Sequence, residues 1–341
     1  MWWAGYHRRE SINIRQAMAS DLTIWCNADL NAAARGELED GCAGQRLLIA
    51  ERPIPNLGAV VPSESLQEAD IAFGQPSPEQ VIENKKLRWM HITSAGYTRY
   101  DRADFKAALA ARGAQFTNSS SVFNEPCAQH LLAFMLAQAR QLPYAFADQR
   151  ENRSWIFDQI RARSRVLENE TVLILGYGAI AHRLVELLAP FSLNVIAVRQ
   201  RVRGDENVPT YPNGELDQLL PGADHIVSTL PASDSTYQMM SAHRFTLAKP
   251  GAVFYNIGRG TTVDQNALIQ SLESGYLAAA YLDVTDPEPL PSDHPLWKAQ
   301  NCWITPHTGG GRQDEHVHLV RHFLSNLSHF VAGEPLLDRV F

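Results

Sequence analysis

Three side chains that could do chemistry stand at the ends of short apolar runs in the second half of the chain. Arg259 lies in Ile257-Gly258-Arg259-Gly260, just after the run Ala252–Asn256. Glu288 closes Asp283-Val284-Thr285-Asp286-Pro287-Glu288, which follows Leu277–Leu282. His307 opens His307-Thr308-Gly309-Gly310-Gly311, after Cys302–Thr305 and Pro306. A guanidinium grips a carboxylate or phosphate with two parallel hydrogen bonds. A carboxylate beside an imidazole makes a general acid–base pair. Short apolar runs read as buried strands, and ligands of open α/β sheets bind outside the carboxyl ends of the strands. An isolated His or Arg is usually structural, but an Arg, a carboxylate and a His at three strand ends point to one catalytic rim.

A phosphate-binding turn precedes them. Thr171–Leu175 is a β-branched, apolar strand, Gly176-Tyr177-Gly178 a turn, Ala179–Pro190 an amphipathic helix and Asn194–Val198 a second strand. Strand, Gly-x-Gly turn, helix and strand make the dinucleotide-binding unit, with Ala181 at the third small position. Gly176 permits the tight turn and Gly178 a close approach of the backbone to a pyrophosphate. The helix N-terminus at Ala179 and Ile180 supplies free N–H groups. NAD-binding units usually close the second strand with a carboxylate, which accepts from the ribose hydroxyls. Arg199 stands there instead, with Arg201 and Arg203 following and no acid before Asp205. The arginines suit a 2′-phosphate, so NADP(H) is expected over NAD.

The elements that must position these groups follow from the rest of the chain. Strands are expected at Leu22–Cys26, Arg46–Ala50, Asp70–Phe73, Trp89–Ile92, Gln115–Thr117 and His225–Thr229. Helices are expected at Asp29–Leu38, after a cap at Asp101, over Asn124–Arg150 as one long apolar helix, after a cap at Asp264, and at Gln313–Val331. Strands alternating with helices mean parallel sheets covered on both faces. The chain therefore reads as two doubly wound α/β domains. A dinucleotide domain, residues 125–310, is inserted into a substrate domain, residues 18–124 plus 311–341. Residues 1–17, with Trp2 and Trp3, read as a flexible extension. The 45% apolar and 20% charged content is that of a soluble globular protein, and the net charge of −7 argues against nucleic acid as a partner. No run approaches a membrane span or forms a signal peptide. Four scattered cysteines without CxxC spacing suggest a reducing compartment, the cytoplasm, and no metal site. His318 and His322 stand at i, i+4 near His316, but no third ligand is evident, and a helix face explains them better.

At this point the chain resembles the D-isomer-specific 2-hydroxyacid dehydrogenases, which include phosphoglycerate, glycerate and glyoxylate/hydroxypyruvate reductases. The motifs are GYGAIA at 176–181, NIGRG at 256–260, AAAYLDVTDPEPLPSDHPLW at 278–297 and TPHTGG at 305–310, and the similarity runs from Leu22 to the end. The resemblance implies a two-domain enzyme with a Rossmann-type cofactor domain and a flavodoxin-like substrate domain. It makes Arg259, Glu288 and His307 catalytic. The backbone of Ser94, Ala95, Gly96 and Tyr97 would dock the substrate carboxylate. Leu230, Pro231 and Thr236 would line the cofactor with Ile257, Gly258 and Gly309, and Asp283 would approach the nicotinamide amide. Arg259 would bind the carboxylate of a small 2-keto acid. His307 would protonate the carbonyl oxygen, and Glu288 would orient the ring and favour its charged form. Ala181 in place of the common third Gly matters little, Arg199 in place of the common Asp favours NADP, and Gln129 stands where Glu is common. A homodimer is expected, with about Glu125–Arg165 in the contact. Two alternatives share the scaffold. One is a formate- or phosphite-type dehydrogenase, although the formate branch pairs its His with Gln. The other is a nucleotide-sensing, corepressor-like binding protein.

Overall fold

The structure, a computed structural model, describes residues 22–341 apart from position 57. The expectation for residues 1–17, Trp2 and Trp3 included, lies outside the described residues. The chain divides into two compact units, one made of residues up to Val122 together with Asp314–Phe341, the other of Phe123–Gln313.

In the first unit, β1 (Thr23–Ala28), β2 (Arg46–Ile54), β3 (Ile71–Gly74), β4 (Trp89–Ile92) and β5 (Gln115–Thr117) form a parallel sheet in the order β2-β1-β3-β4-β5. That is the flavodoxin-like order. β1, β3 and β4 are buried along their whole length, so their sequences are nearly continuous apolar runs. β2 is an edge strand and largely exposed. Its apolar start is legible, but it continues through Pro53 to Ile54, which an edge allows.

Helix starts differ from the sequence expectation where a different residue caps. α1 (Ala32–Gly41) begins after Asn31, whose Oδ1 accepts from the Ala34 N–H at 2.9 Å, so the helix does not start at Asp29. α2 (Pro78–Glu83) is too short for its periodicity to be read; Ser77 caps it and Pro78 fills its first turn. α3 (Ala103–Ala111) follows Arg102, and the Asp101 side chain pairs with Lys106 and does not cap this helix.

The expected single helix over Asn124–Arg150 is two helices. α4 (Ser120–Ala139) starts earlier and ends before Gln141, which is left-handed at φ 58, and α5 (Leu142–Glu151) restarts with Pro143 in its first turn. Proline lacks the N–H an interior helical position needs, but it suits a first turn. Apolar pattern alone runs straight through this break. α6 (Phe157–Arg163) follows.

The second unit carries β6 (Thr171–Leu175), β7 (Asn194–Arg199), β8 (Thr210–Pro212), β9 (His225–Ser228), β10 (Val253–Asn256), β11 (Ala279–Leu282) and β12 (Cys302–Ile304). All pair in parallel, in the order β12-β11-β10-β9-β6-β7-β8. This is the Rossmann order with an added strand, and it reverses direction between β6 and β9. The short β8 has no apolar run to announce it. Between the strands come α7 (Ala179–Leu188), α8 (Leu216–Leu219), α9 (Ala242–Leu247) and α10 (Gln265–Glu273), the last capped by Asp264.

Alternate strand residues feed two cores. Leu173, Leu175, Ile226, Phe254, Ala280 and Leu282 pack on one face. Val172, Ile174, Val227, Tyr255, Ala279 and Tyr281 pack on the other. Both faces being covered explains the uninterrupted apolar spelling. The terminal helix, α11 (Glu315–Ala332), belongs to the first unit and ends at Gly333, whose φ of 70 makes the left-handed cap.

No helix among the described residues is long and apolar enough to cross a membrane. Nor do three His, Cys, Asp or Glu side chains gather there as a metal site. His316 accepts from the Asn31 N–H, His318 pairs with Asp314 and His322 lies 3.0 Å from Asp338.

Candidate active site

Gly176 leaves β6 with φ 88, a conformation that favours glycine, and Gly178 stands extended at the start of α7. A Cβ on Gly178 would meet nothing within 4 Å. Protein packing therefore does not demand a glycine there, and the space before the first turn of α7 is open. The first-turn N–H groups and the positive end of the helix dipole make that space an anion site. The donor set and the room fit a pyrophosphate, with Ala179 and Ile180 in the first turn. Tyr177 sits beside it, its hydroxyl accepting from the Asn207 N–H at 3.3 Å.

Arg199 ends β7, as expected, but it is neither solvent-facing nor alone. Its side chain is 16% exposed and its Nη1 donates to Glu206 Oε1 at 2.7 Å. Arg201 is exposed. The sequence thus places a carboxylate seven residues beyond the strand end, where only the loop's return reveals it.

The rim continues along the neighbouring strands. Backbone atoms of Leu230 would lie 2.4–2.6 Å from a Cβ on Gly258, so Gly258 is glycine for close approach of the chain after β9. Thr236 is buried and spends its hydroxyl on its own loop, donating to Pro231 O at 2.6 Å and accepting from the Ser233 N–H at 2.9 Å. Ile257 is buried at the end of β10. Arg259 comes next with its peptide clamped. Its carbonyl accepts from Asn256 Nδ2 at 3.0 Å and Thr262 Oγ1 at 2.7 Å, while its Nη1 donates to Gly258 O at 2.6 Å.

Glu288 and His307 meet. His307 Nδ1 and Glu288 Oε2 are 2.8 Å apart, and Glu288 Oε1 accepts from the Thr285 N–H at 2.9 Å. Nε2 of His307 makes no hydrogen bond among the described residues. The His307 backbone is left-handed, φ 53, an uncommon state for a side-chain-bearing residue. Asp283 holds it there. Its carbonyl accepts from the His307 N–H at 2.8 Å. Its carboxylate accepts from Thr305 Oγ1 at 2.6 Å and from the N–H groups of Thr308 and Gly309, both at 2.9 Å. Asp283 is therefore first of all the residue that folds the 305–309 loop.

Electrostatics support the grouping. Burial pulls the Glu288 carboxyl upward, but the hydrogen bonds from His307 and Thr285 and the nearby positive charges outweigh it, so it stays below the usual carboxylate range. Burial lowers the Arg259 guanidinium, which the charge of Glu288 partly offsets. Burial, helped by the charge of Asp283, pushes the Cys127 thiol up to about 12, so it is a neutral neighbour and no nucleophile. Burial likewise lowers His130, whose Nε2 lies 3.1 Å from Thr305 Oγ1.

The Ser94–Tyr97 loop is built within the first unit. Every one of its carbonyls is tied: Ser94 O by the Ser119 N–H, Ala95 O by Asn118 Nδ2, Gly96 O by Ser94 Oγ and Tyr97 O by the Tyr100 N–H, at 2.7–3.1 Å. Gln75 Nε2 adds a bond to Ser94 Oγ at 3.1 Å. None of the four N–H groups donates to a protein acceptor among the described residues. The loop's carbonyls are therefore tied while its N–H groups are not.

The sequence expectation named the catalytic side chains but not their supports. Asn256 and Thr305 lay inside quoted motifs without a role, Thr262 just beyond one. Gln75 and Asn118 carried no local signal at all. Gln129, singled out as a departure, donates to Glu125, which also binds Arg183.

Residues 132–309 match the model for the D-isomer specific 2-hydroxyacid dehydrogenase, NAD binding domain. Glyoxylate/hydroxypyruvate reductase B of Citrobacter koseri is 31% identical over 306 residues, 82% of this chain and 88% of that protein. The structure of a D-isomer specific 2-hydroxyacid dehydrogenase from Xanthobacter autotrophicus, in complex with NADPH and MES, superposes with a TM-score of 0.78 at 25% identity. That likeness covers 94% of this chain and 98% of that one. A family protein from Aeromonas salmonicida superposes at 0.70 and 29% identity, covering 94% and 99%. With the Gly-x-Gly turn, the rim residues and the sheet order in place, this chain belongs to the D-isomer specific 2-hydroxyacid dehydrogenase family, nicotinamide-dependent oxidoreductases.

Proposed function

We propose that the chain is an NADP(H)-preferring reductase of a small 2-keto acid, such as glyoxylate or hydroxypyruvate, with Arg259, Glu288 and His307 as its catalytic residues. The observation that carries this is the Glu288–His307 pair: one ring nitrogen is held at 2.8 Å and the other is open, on the same rim as a sheltered guanidinium.

A nicotinamide, when bound, would supply or take the hydride. The chain's own residues do the rest. Arg259 binds the substrate carboxylate and polarises the ketone. His307 gives a proton from Nε2 to the carbonyl oxygen, and Glu288 keeps Nδ1 protonated and the ring aimed. In the reverse direction His307 takes the hydroxyl proton of a D-2-hydroxy acid. The N–H groups of Ser94–Tyr97, untied within the first unit, are proposed as donors for a substrate anion. Leu230, Pro231, Ile257 and Gly309 are proposed to contact the cofactor. Asp283 keeps acceptor capacity on Oδ2, which an amide N–H₂ group could use.

The direct test is NADPH oxidation with a panel of 2-keto acids. Glyoxylate or hydroxypyruvate is expected to support turnover; no turnover with any 2-keto acid would count against the reading. NADPH is expected to exceed NADH by roughly 10- to 100-fold in kcat/KM, the scale of charge-assisted hydrogen bonds to a partly exposed phosphate. Added salt should shrink the difference. Arg199→Asp should abolish or reverse it, and equal use of both nucleotides at low salt would refute it.

Glu288→Gln is expected to cost less than loss of His307, on the order of tenfold in kcat. It should also move the high-pH limb of the reduction profile to lower pH. The hydrogen bond from His307 lowers the Glu288 carboxyl, so the two groups are coupled, and a neutral amide removes the negative charge from beside the ring. An unmoved limb would show that Glu288 does not bear on the proton donor.

We propose also that the protein is a homodimer joined through about Glu125–Arg165. Trp155 is 88% exposed, with Phe157 at 57% and Phe146 at 55%. Trp155 and Phe157 line a cavity of about 940 Å³ together with Ile156 and Ile160. Rings so exposed mark an association surface. Light scattering at micromolar concentration should give about twice the 38.0 kDa chain mass, and Trp155→Glu with Phe157→Glu should halve it. A wild-type monomer would disprove it.

A further inference from the structure

The Arg199 pair is more than a surface contact. After β7 the chain turns back through residues 200–209 before β8. Inside that turn the Glu206 side chain is only 3% exposed. Its Oε1 accepts from Arg199 Nη1 at 2.7 Å and from the Arg203 N–H at 2.9 Å, and its Oε2 accepts from the Gly204 N–H at 2.8 Å. Gly204 reaches this position at φ 83. A guanidinium and two successive backbone N–H groups converging on one point make an anion seat. Here the chain's own carboxylate fills it. The same loop is pinned to the phosphate-binding turn. Asn207 N–H donates to the Tyr177 hydroxyl, and Asn207 Nδ2 lies 3.2 Å from His182 Nε2 on α7.

We infer that Glu206 is an internal competitor for the 2′-phosphate of NADP(H) and the residue that sets how strongly this chain prefers that nucleotide. The inference rests on the reading that Arg199 receives the 2′-phosphate. A 2′-phosphate brought to the end of β7 needs the donors that Glu206 holds. It either displaces the carboxylate or shares Arg199 with it, and in both cases it meets a like charge. NAD(H), with a hydroxyl there, meets no such repulsion. The competition does not switch with pH in the working range. The Arg203 N–H above all, with the Gly204 N–H and the Arg199 guanidinium, holds the carboxyl at about 2 against the cost of desolvation.

The test is dinucleotide binding by the full chain, followed by fluorescence titration, in wild type, Glu206→Gln, Glu206→Ala and Arg199→Ala. Adenosine 2′,5′-bisphosphate and adenosine 5′-monophosphate serve as probes of the adenosine end alone. Glu206→Gln keeps the shape and one acceptor but removes the charge. It should tighten NADPH and the bisphosphate about tenfold, the scale of one charge-assisted hydrogen bond, and leave NADH and the monophosphate unchanged within error. Glu206→Ala should move in the same direction. If Arg199→Ala selectively loses NADPH while neither Glu206 variant gains it, the competitor is refuted and the nucleotide reading stands. If Arg199→Ala leaves NADPH binding untouched, the nucleotide reading itself fails. Loss of NADH and monophosphate binding in both Glu206 variants would make Glu206 a scaffold of the loop and overturn the proposal.

Discussion

His307→Ala is expected to lower kcat by about 10²–10⁴-fold, the usual contribution of a positioned proton donor, while dinucleotide affinity stays as in wild type. The selectivity follows from how the loop is held. Asp283 takes the N–H groups of His307, Thr308 and Gly309 and the Thr305 hydroxyl, and none of those bonds uses the imidazole. The backbone at residue 307 should therefore survive the substitution. His307→Asn makes the sharper control, because asparagine tolerates the left-handed backbone at φ 53 yet carries no titrating proton. Both variants should melt within about 1 kcal/mol of wild type, as substitutions outside the core usually do. Single-turnover reduction with saturating NADPH is the measurement. A rate within threefold of wild type in both variants would remove His307 from the mechanism.

Arg259→Ala is expected to reduce kcat/KM for a 2-keto acid by about 10²–10⁴-fold. Hydrogen bonds to a charged partner contribute about 1.5–3 kcal/mol each, and a guanidinium offers two to a carboxylate. The loss should be large because the side chain is sheltered, and a partner left without it cannot be compensated fully by water. Asn256 and Thr262 hold residue 259 by its carbonyl, so removing the side chain should not unfold the turn. Arg259→Lys keeps the charge but not the fork, and should recover only part of the activity. NADPH affinity, measured separately, should remain close to wild type in both variants. If kcat/KM falls less than tenfold in Arg259→Ala, the carboxylate is bound elsewhere.

What could be read before the fold was known is what the chain encodes locally. β6, the Gly176-Tyr177-Gly178 turn, α7 and β7 are contiguous, and buried parallel strands spell their burial directly. The Arg259, Glu288 and His307 positions were legible because each follows such a strand within a few residues. Local spacing also carried the sheet class, since β–α alternation constrains the connections.

The tertiary structure decided what depends on chain return. Glu206 reaches Arg199 only because residues 200–209 fold back, so a run that reads as purely basic holds a neutralised arginine. Asp283 reads as a ligand-facing acid, yet its carboxylate is taken up by a loop that begins 22 positions later. Gln75 and Asn118, each just past the end of a neighbouring strand, bond to the Ser94–Tyr97 loop from 19 and 23 positions away in sequence. The helix break at Gln141 hides for a different reason: apolar periodicity continues on both sides, and only the backbone shows the left-handed residue. Period and spacing report which face a residue takes within its own element. A hydrogen bond between elements needs both partners' positions, and those exist only once the sheet order is set.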